Sequence, residues 1–371
     1  MKVGIIGLPN VGKSTLFNTI TNMQVLEANY PFATIKPNVG IVDVQDKRLN
    51  FLANLFQSQK IITTQIQFID IAGLVKNASK GEGLGNQFLN HIRDVDAICH
   101  VVKCFENPNI IHVNDKVDPI EESAIIETEL ILSDLEQIEK RLSKLMKQKK
   151  PSLEKELLEE ELLKKIKFHL EKENNINKIF LNDQEKKIIK NFNLLSLKPM
   201  IYIGNFEEKD LSDLENNSFF QQMSKHATKK EREFIPICVL LEKELSILKK
   251  EEQKNFLSIY NLKNNALQEI IQKSYKLLGL QTYFTAGKQE SKAWSFLKGM
   301  TAPECGGIIH SDFERGFIKA EVCHFEDLAR VQNFNKIKQQ GQLRLEGKNY
   351  IVQDGDIITF YFNVSKQKNN K

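Results

Sequence analysis

The residues that most constrain this chain are Gly7-Leu8-Pro9-Asn10-Val11-Gly12-Lys13-Ser14-Thr15, which directly follow the apolar run Val3-Gly4-Ile5-Ile6. They fit G-x-x-x-x-G-K-[ST] in the strand-to-helix setting that a phosphate-binding loop requires, since Leu16, Phe17 and Ile20 continue as one face of a helix. Glycines let the backbone wrap closely round an anion. Successive N–H groups and the N-terminus of the following helix then face its charge. In such a loop Asn10, Val11, Gly12, Lys13, Ser14 and Thr15 cradle the phosphates. Lys13 is expected to reach the β- and γ-phosphates, and the Ser14 hydroxyl to ligate Mg2+.

Later segments supply what such a loop needs. Ala28-Asn29-Tyr30-Pro31-Phe32-Ala33-Thr34-Ile35-Lys36-Pro37 is an irregular stretch before a strand-like run, where switch proteins bring a threonine to the metal; Thr34 is the candidate. The alternating run Gln65 to Ile69 delivers Asp70-Ile71-Ala72-Gly73 at a strand end. There the Asp70 carboxylate holds Mg2+, usually through water, and the Gly73 N–H meets the γ-phosphate unobstructed by a side chain. Fast enzymes of this class place a glutamine next to orient the attacking water, but here the residue is Leu74, with neither donor nor acceptor. Hydrolysis is then either intrinsically slow or uses another group, and basal turnover below ~1 per second is expected. Asn10 is also a candidate to help hold a K+ ion in place of a catalytic cation. His112 lies in a loop after a buried strand, at the edge where such folds bind ligands, whereas His100 falls within the strand and reads as structural.

The base-reading position is unusual. After the strand-like run Pro199 to Gly204, Asn205-Phe206-Glu207-Glu208 stands where guanine-specific proteins carry Asn-Lys-x-Asp. An aspartate there accepts from guanine N1–H and its amine; adenine offers an acceptor at N1, so that pairing is lost. Glu208, one methylene longer, means only that guanine is not read in the standard way.

Length and charge bound the rest. With 371 residues the chain has room for two or three domains. A net charge of +4 does not by itself mark a nucleic-acid binder. Five cysteines without a C-x-x-C pair, in apolar runs, suggest buried free thiols in a reducing compartment. No apolar run approaches a membrane span, and a cytoplasmic protein with no membrane partner is expected.

Composition changes near residue 123. Ile131, Leu135, Ile138, Leu142 and Leu145 repeat in 4-3-4-3 steps, and Leu158, Leu162, Ile166 and Leu170 form a second stripe beyond Pro151. An antiparallel helical hairpin is expected. Past Gly279 come short alternating segments, ending in an expected hairpin from Tyr350-Ile351-Val352 through Asp354-Gly355-Asp356 to Ile357–Phe362. The expected organisation is a nucleotide-binding domain at 1–122 and 197–278, a helical coiled-coil insertion at 123–196, a binding module at 279–364 and a basic tail at 365–371.

Together these residues resemble the Obg-like ATPases of the YchF subfamily. The likeness runs through Asn29-Tyr30-Pro31-Phe32-Ala33-Thr34, the stretch from Asp70 to Leu89, Asn205-Phe206-Glu207-Glu208 and the stretch from Lys298 to Ile318. It implies a P-loop GTPase-type α/β domain with a C-terminal TGS module of β-grasp fold. It also implies base recognition by Asn205 and Glu208 with ATP preferred to GTP, a hydrolytic part for His112, and contact with ribosomes and ribosomal RNA. One departure is Cys238-Val239-Leu240, since the family usually has alanine after the cysteine. The resulting expectation is a slow, Mg2+-dependent ATP switch on the ribosome; a ribosome-associated GTPase and a nucleotide-gated scaffold with incidental hydrolysis stay open.

Overall fold

The computed structural model describes residues 1–25, 38–71, 84–107, 117–147, 154–172, 179, 181–248, 252, 253, 255 and 265–363, the side chains of 22–25 and 84–86 excepted. Thr34, Gly73, Leu74, His112 and Pro151 lie outside the described residues. Contacts divide the chain into two compact units, Met1–Ile41 with Gln67–Ile270, and Val42–Ile66 with Ile271–Lys371.

The first unit is built round β1 (Lys2–Ile6), which is buried from Val3 onward. After it come α1 (Lys13–Val25), β2 (Val39–Val44), α2 (Lys47–Phe56), β3 (Lys60–Ile62) and β4 (Thr64–Asp70). Next are α3 (Leu84–Arg93), β5 (Ala97–Lys103), α4 (Pro119–Lys147), α5 (Glu154–Glu171) and α6 (Asp183–Phe192). The run ends with β6 (Met200–Asn205), α7 (Ser218–Lys229), β7 (Phe234–Ile237) and α8 (Val239–Ile247). The sheet order is β2-β4-β1-β5-β6-β7, with β1 parallel to β4 and β5, and β6 parallel to β5 and β7. Every residue of β5 and β6 is buried, as expected for strands covered on both faces. Strand order reverses at β1, so the carboxyl ends around it form the crevice where such sheets bind ligands.

The helical insertion forms, with more than a two-helix hairpin. Ile138, Leu142 and Leu145 of α4 pack on Leu162, Leu163, Ile166 and Leu170 of α5, and Ile189 of α6 completes the same core. Arg141 bridges the two long helices by donating to Glu159 at 2.6 Å. The expected boundary at 123 falls inside α4, which starts at Pro119, where the Asp118 carboxylate accepts from the N–H groups of Ile120 and Glu121. The root of α4 buries Glu122, Ser123, Ile126 and Glu127. Buried Asp134 accepts from the N–H groups of Leu195 and Ser196 and from the Ser196 hydroxyl, tying the chain between α6 and β6 to the arm.

The second unit has a sheet of order β11-β10-β12-β8-β9-β3, from β8 (Leu280–Ala286), β9 (Glu290–Leu297), β10 (Phe317–His324), β11 (Arg344–Glu346) and β12 (Asp356–Phe362). The first and last strands of the C-terminal segment, β8 and β12, lie parallel at its centre, flanked by the antiparallel partners β9 and β10. That is the β-grasp arrangement. Alternation along the strands splits the core in two. Tyr283, Phe296, Ala320 and Ile358 face the helix Ala302–Ile309, while Phe284, Ala293, Cys323 and Ile357 face α2 and the helices Phe325–Val331 and Phe334–Gln339.

Two findings here differ from the sequence reading. Residues 42–66, expected within the nucleotide-binding domain, supply α2 to this core through Leu49 and Leu52, and β3 extends the sheet by pairing parallel with β9. The expected final hairpin does not form: Ile351 makes an isolated bridge to Thr301, and β12 pairs with β10 and β8 instead. Gly355 does turn the chain, with φ of 91°, but its N–H is donated to the Thr282 carbonyl, which inserts β12 at the centre. All five cysteines are buried and free. Among the described residues no helix is long and apolar enough to cross a membrane.

Candidate nucleotide site

The turn from β1 into α1 needs its glycines. A Cβ on Gly7 would stand 2.4 Å from the Val101 carbonyl oxygen of β5, and Gly12 has φ of +102° with the Asn205 amide 2.7 Å from where a Cβ would be. Asn10 between them is left-handed at φ 62°. Val11 is fully buried and anchors the loop, while the Ser14 side is exposed. Lys13 is 7 % exposed and folds back, donating from Nζ to the Leu8 carbonyl at 2.7 Å. Burial pushes its pKa down, and the nearby Asp70 carboxylate pushes it up. The amine is thus held under the loop and mostly withdrawn from water.

Asp70 ends β4 beside Ile5 of β1. Its Oδ1 is buried and has no hydrogen-bond partner among the described residues. A buried carboxylate oxygen without a donor is costly unless something else satisfies it, and a cation beside the phosphate loop would do so. Among the described residues no three His, Cys, Asp or Glu side chains are grouped to hold a metal. The donor set suits an ion such as Mg2+, which takes one or two protein oxygens, phosphate and water, rather than a metal caged by protein.

On the other side of the loop, Asn205 works as a stitch. Its Nδ2 donates to the Val11 carbonyl at 3.0 Å, and its Oδ1 accepts from the Val239 N–H at 3.1 Å. It therefore ties the phosphate loop to the start of α8, a positioning role that the sequence reading did not assign. Phe206 is 1 % exposed and packs with Phe220 and Phe234, so the position that carries lysine in guanine readers is spent on core. Glu208 opens a 3-10 helix, Glu208–Asn216, and is exposed.

A cavity of about 800 Å³ brings these groups together, lined by Asn10, Gly12, Thr15, Asn205 and Glu208. Its size is that of small-molecule sites in general. Phe105, Asn107 and Leu240 line it too; Asn107 and Leu240 fall in the loops expected at the ligand edge and over the base, and Phe105 was not singled out from sequence. Leu240 stands 68 % exposed at the rim, although it is a large apolar side chain. The available signal was position: Phe105 lies just past β5 and Leu240 just past β7, at the carboxyl ends of strands.

Behind the site sits a charged network. Tyr202 of β6 donates its hydroxyl to Glu127 of α4, which also accepts from Arg232 at 2.8 Å and Lys230 at 3.1 Å. The His100 ring is tilted against that of Tyr202, with both ring nitrogens buried and unpartnered among the described residues. Its burial lowers its pKa to about 4. His100 is structural, as expected.

Residues 2–154 match a family model described as "50S ribosome-binding GTPase", and residues 280–363 match a YchF-GTPase C-terminal model described as a protein of unknown function. The chain is similar to proteins named "Ribosome-binding ATPase YchF". It is 49% identical over 364 residues to the one from Bacillus subtilis, covering 98% of this chain and 100% of that one. Against the Mycoplasma genitalium protein it is 49% identical over 367 residues, covering 98% and 100%. Among solved structures, the Schizosaccharomyces pombe YchF GTPase superposes with a TM-score of 0.89 at 36% identity, covering 97% of each chain.

Proposed function

The chain belongs to the YchF family, and from that premise we propose that it is a Mg2+-dependent ATPase that binds the ribosome and works as a slow nucleotide switch in the cytoplasm. The observation that carries this reading is the single cavity lined both by the phosphate loop and by Glu208, with Asn205 fixed to its walls. On this reading Asn10 to Thr15 cradle the triphosphate, and the Glu208 carboxylate accepts from the adenine amine. Lys13, already held beneath the loop, would exchange its Leu8 carbonyl for the β- and γ-phosphates. Ser14 and Thr34 would hold Mg2+ directly and Asp70 through water; the ion, when bound, neutralises charge developing on the phosphate oxygens. Gly73 and His112 are assigned on sequence alone, as γ-phosphate sensor and hydrolytic aid. Asn10 is the candidate K+ ligand, and the C-terminal β-grasp is read as a TGS module that contacts ribosomal RNA.

Leu74 gives no group to orient water, so hydrolysis is slow unless His112 or a bound partner supplies one. The test is ATP turnover with and without ribosomes or large subunits. The expected result is a basal rate below ~1 per second that rises at least several-fold with ribosomes. A basal rate tens of times higher, or one indifferent to ribosomes, would contradict the proposal.

A further inference from the structure

α3, α4 and α6 border a second cavity, of about 600 Å³, within the first unit. Four cationic side chains line it, Arg93 from α3 with Lys140, Arg141 and Lys144 from α4, against one acid, Glu136. The charges are not alike. Lys140 is paired with Glu136 at 2.5 Å in a bridge open enough to water to be worth little, whereas Arg141 is held by Glu159 in a bidentate pair at 2.6 and 2.9 Å and its charge is offset there. Arg93 and Lys144 have no ion-pair partner among the described residues. Arg93 is nevertheless fixed: it donates to the Gln137 side-chain oxygen at 2.7 Å and to the Ser133 hydroxyl at 3.1 Å, and Gln137 in turn donates to the Phe192 carbonyl at 2.8 Å. Neutral groups thus orient a guanidinium at the groove by hydrogen bonds, and the Asp134 carboxyl is close enough to feel its charge.

The chemistry of this lining selects an occupant. Arginine, lysine, serine, asparagine and glutamine side chains are the ones that contact phosphate and sugar in nucleic-acid complexes. A protein partner would be expected to meet aromatic anchors in apolar pockets, whereas only Leu89 and Phe192 are apolar here. Lys140 and Lys144 stand one turn apart on α4, about 6 Å along the axis, a step comparable to that between successive phosphates of a strand. We propose that this groove holds the sugar-phosphate backbone of ribosomal RNA. The inference rests on the ribosome reading above and gives it a surface. RNA seated there would meet α3 at Arg93 and the middle of α4 at Lys140 and Lys144.

The test compares the full-length wild type with the double variant Lys140→Glu, Lys144→Glu, on protein-free large-subunit RNA and on intact ribosomes, across roughly 0.05–0.2 M salt. The variant is expected to bind the RNA at least tenfold more weakly, with the slope of log K against log salt reduced by about 1.4–1.8 for two lost phosphate contacts. Basal ATP turnover should stay unchanged, since neither side chain lines the nucleotide cavity, and the thermal midpoint should fall by only a few degrees, because the exposed pair with Glu136 gives way to like charges one turn apart. Unchanged RNA affinity and slope would overturn the proposal. So would weaker ribosome binding with RNA binding intact, which would hand the groove to a ribosomal protein. A wild type that binds neither ribosomes nor RNA would remove the ribosome reading with it, whereas equal binding by wild type and variant removes the groove alone.

Discussion

Lys13→Ala is expected to lower ATP turnover by about 10²–10³-fold, the cost of removing one charge-stabilising donor from a site that works by electrostatics. The upward shift in thermal midpoint that ATP gives the wild type should be largely lost in the variant, which lacks the amine held beneath the loop. Turnover within a few-fold of the wild type would remove Lys13 from the mechanism. An inactive variant that still supports the cellular role would favour the scaffold reading over the switch.

Glu127→Ala is expected to cost about 2–3 kcal/mol, because it leaves the half-buried Arg232 without its carboxylate and the buried Tyr202 hydroxyl without its acceptor, while Lys230, 35 % exposed, turns to water. The first unit should then melt roughly 4–12 °C lower. Acid should act on the same place in the wild type. Burial alone would raise the Glu127 pKa, but Arg232, the Tyr202 hydroxyl and Lys230 outweigh it and hold it at about 2. A carboxylate depressed in this way contributes stability above its unfolded value of about 4.3, which is lost as pH falls from there toward about 2. His100 adds an earlier phase. Its burial lowers its pKa from 6.5 to about 4, so the unfolded chain takes up a proton first, and stability begins to fall below pH 6.5. Glu127→Gln should keep the phase due to His100 and lose the later one. A midpoint for Glu127→Ala within 1 °C of the wild type, roughly what no change in ΔG gives, would contradict the network's role.

How much of this was legible follows from where the information lies. The phosphate loop was readable because glycine spacing and a strand-to-helix context are local. The structure supplies the reason in the 2.4 Å approach at Gly7 and the left-handed Gly12. Asp70 was readable as the end of an alternating strand. The α4–α5 seam was legible from its heptad steps, but α6 was missed, although Asn182 and Glu185 form a capping box at its start. Its apolar face is short, with only Ile189 fully buried.

What could not be read was long-range. Leu49 and Leu52 announce an amphipathic helix without saying which core receives it, and β3 pairs with a strand more than two hundred residues later in the chain. Asp354-Gly355 correctly marked a turn, yet strand partners are chosen by the core, so β12 went between β8 and β10. Glu127, Tyr202 and Arg232 sit on separate elements, each an ordinary residue until the fold brings them within hydrogen-bond reach.

The central claim is that this cavity reads adenine through Glu208. Its most direct test is calorimetric affinity for ATP against GTP, on the wild type and on Glu208→Ala. The account predicts at least tenfold tighter binding of ATP, or about 1.4 kcal/mol, and loss of most of that preference in the variant. Tighter binding of GTP by the wild type would contradict it, and would mean that Glu208 reads guanine as an aspartate does.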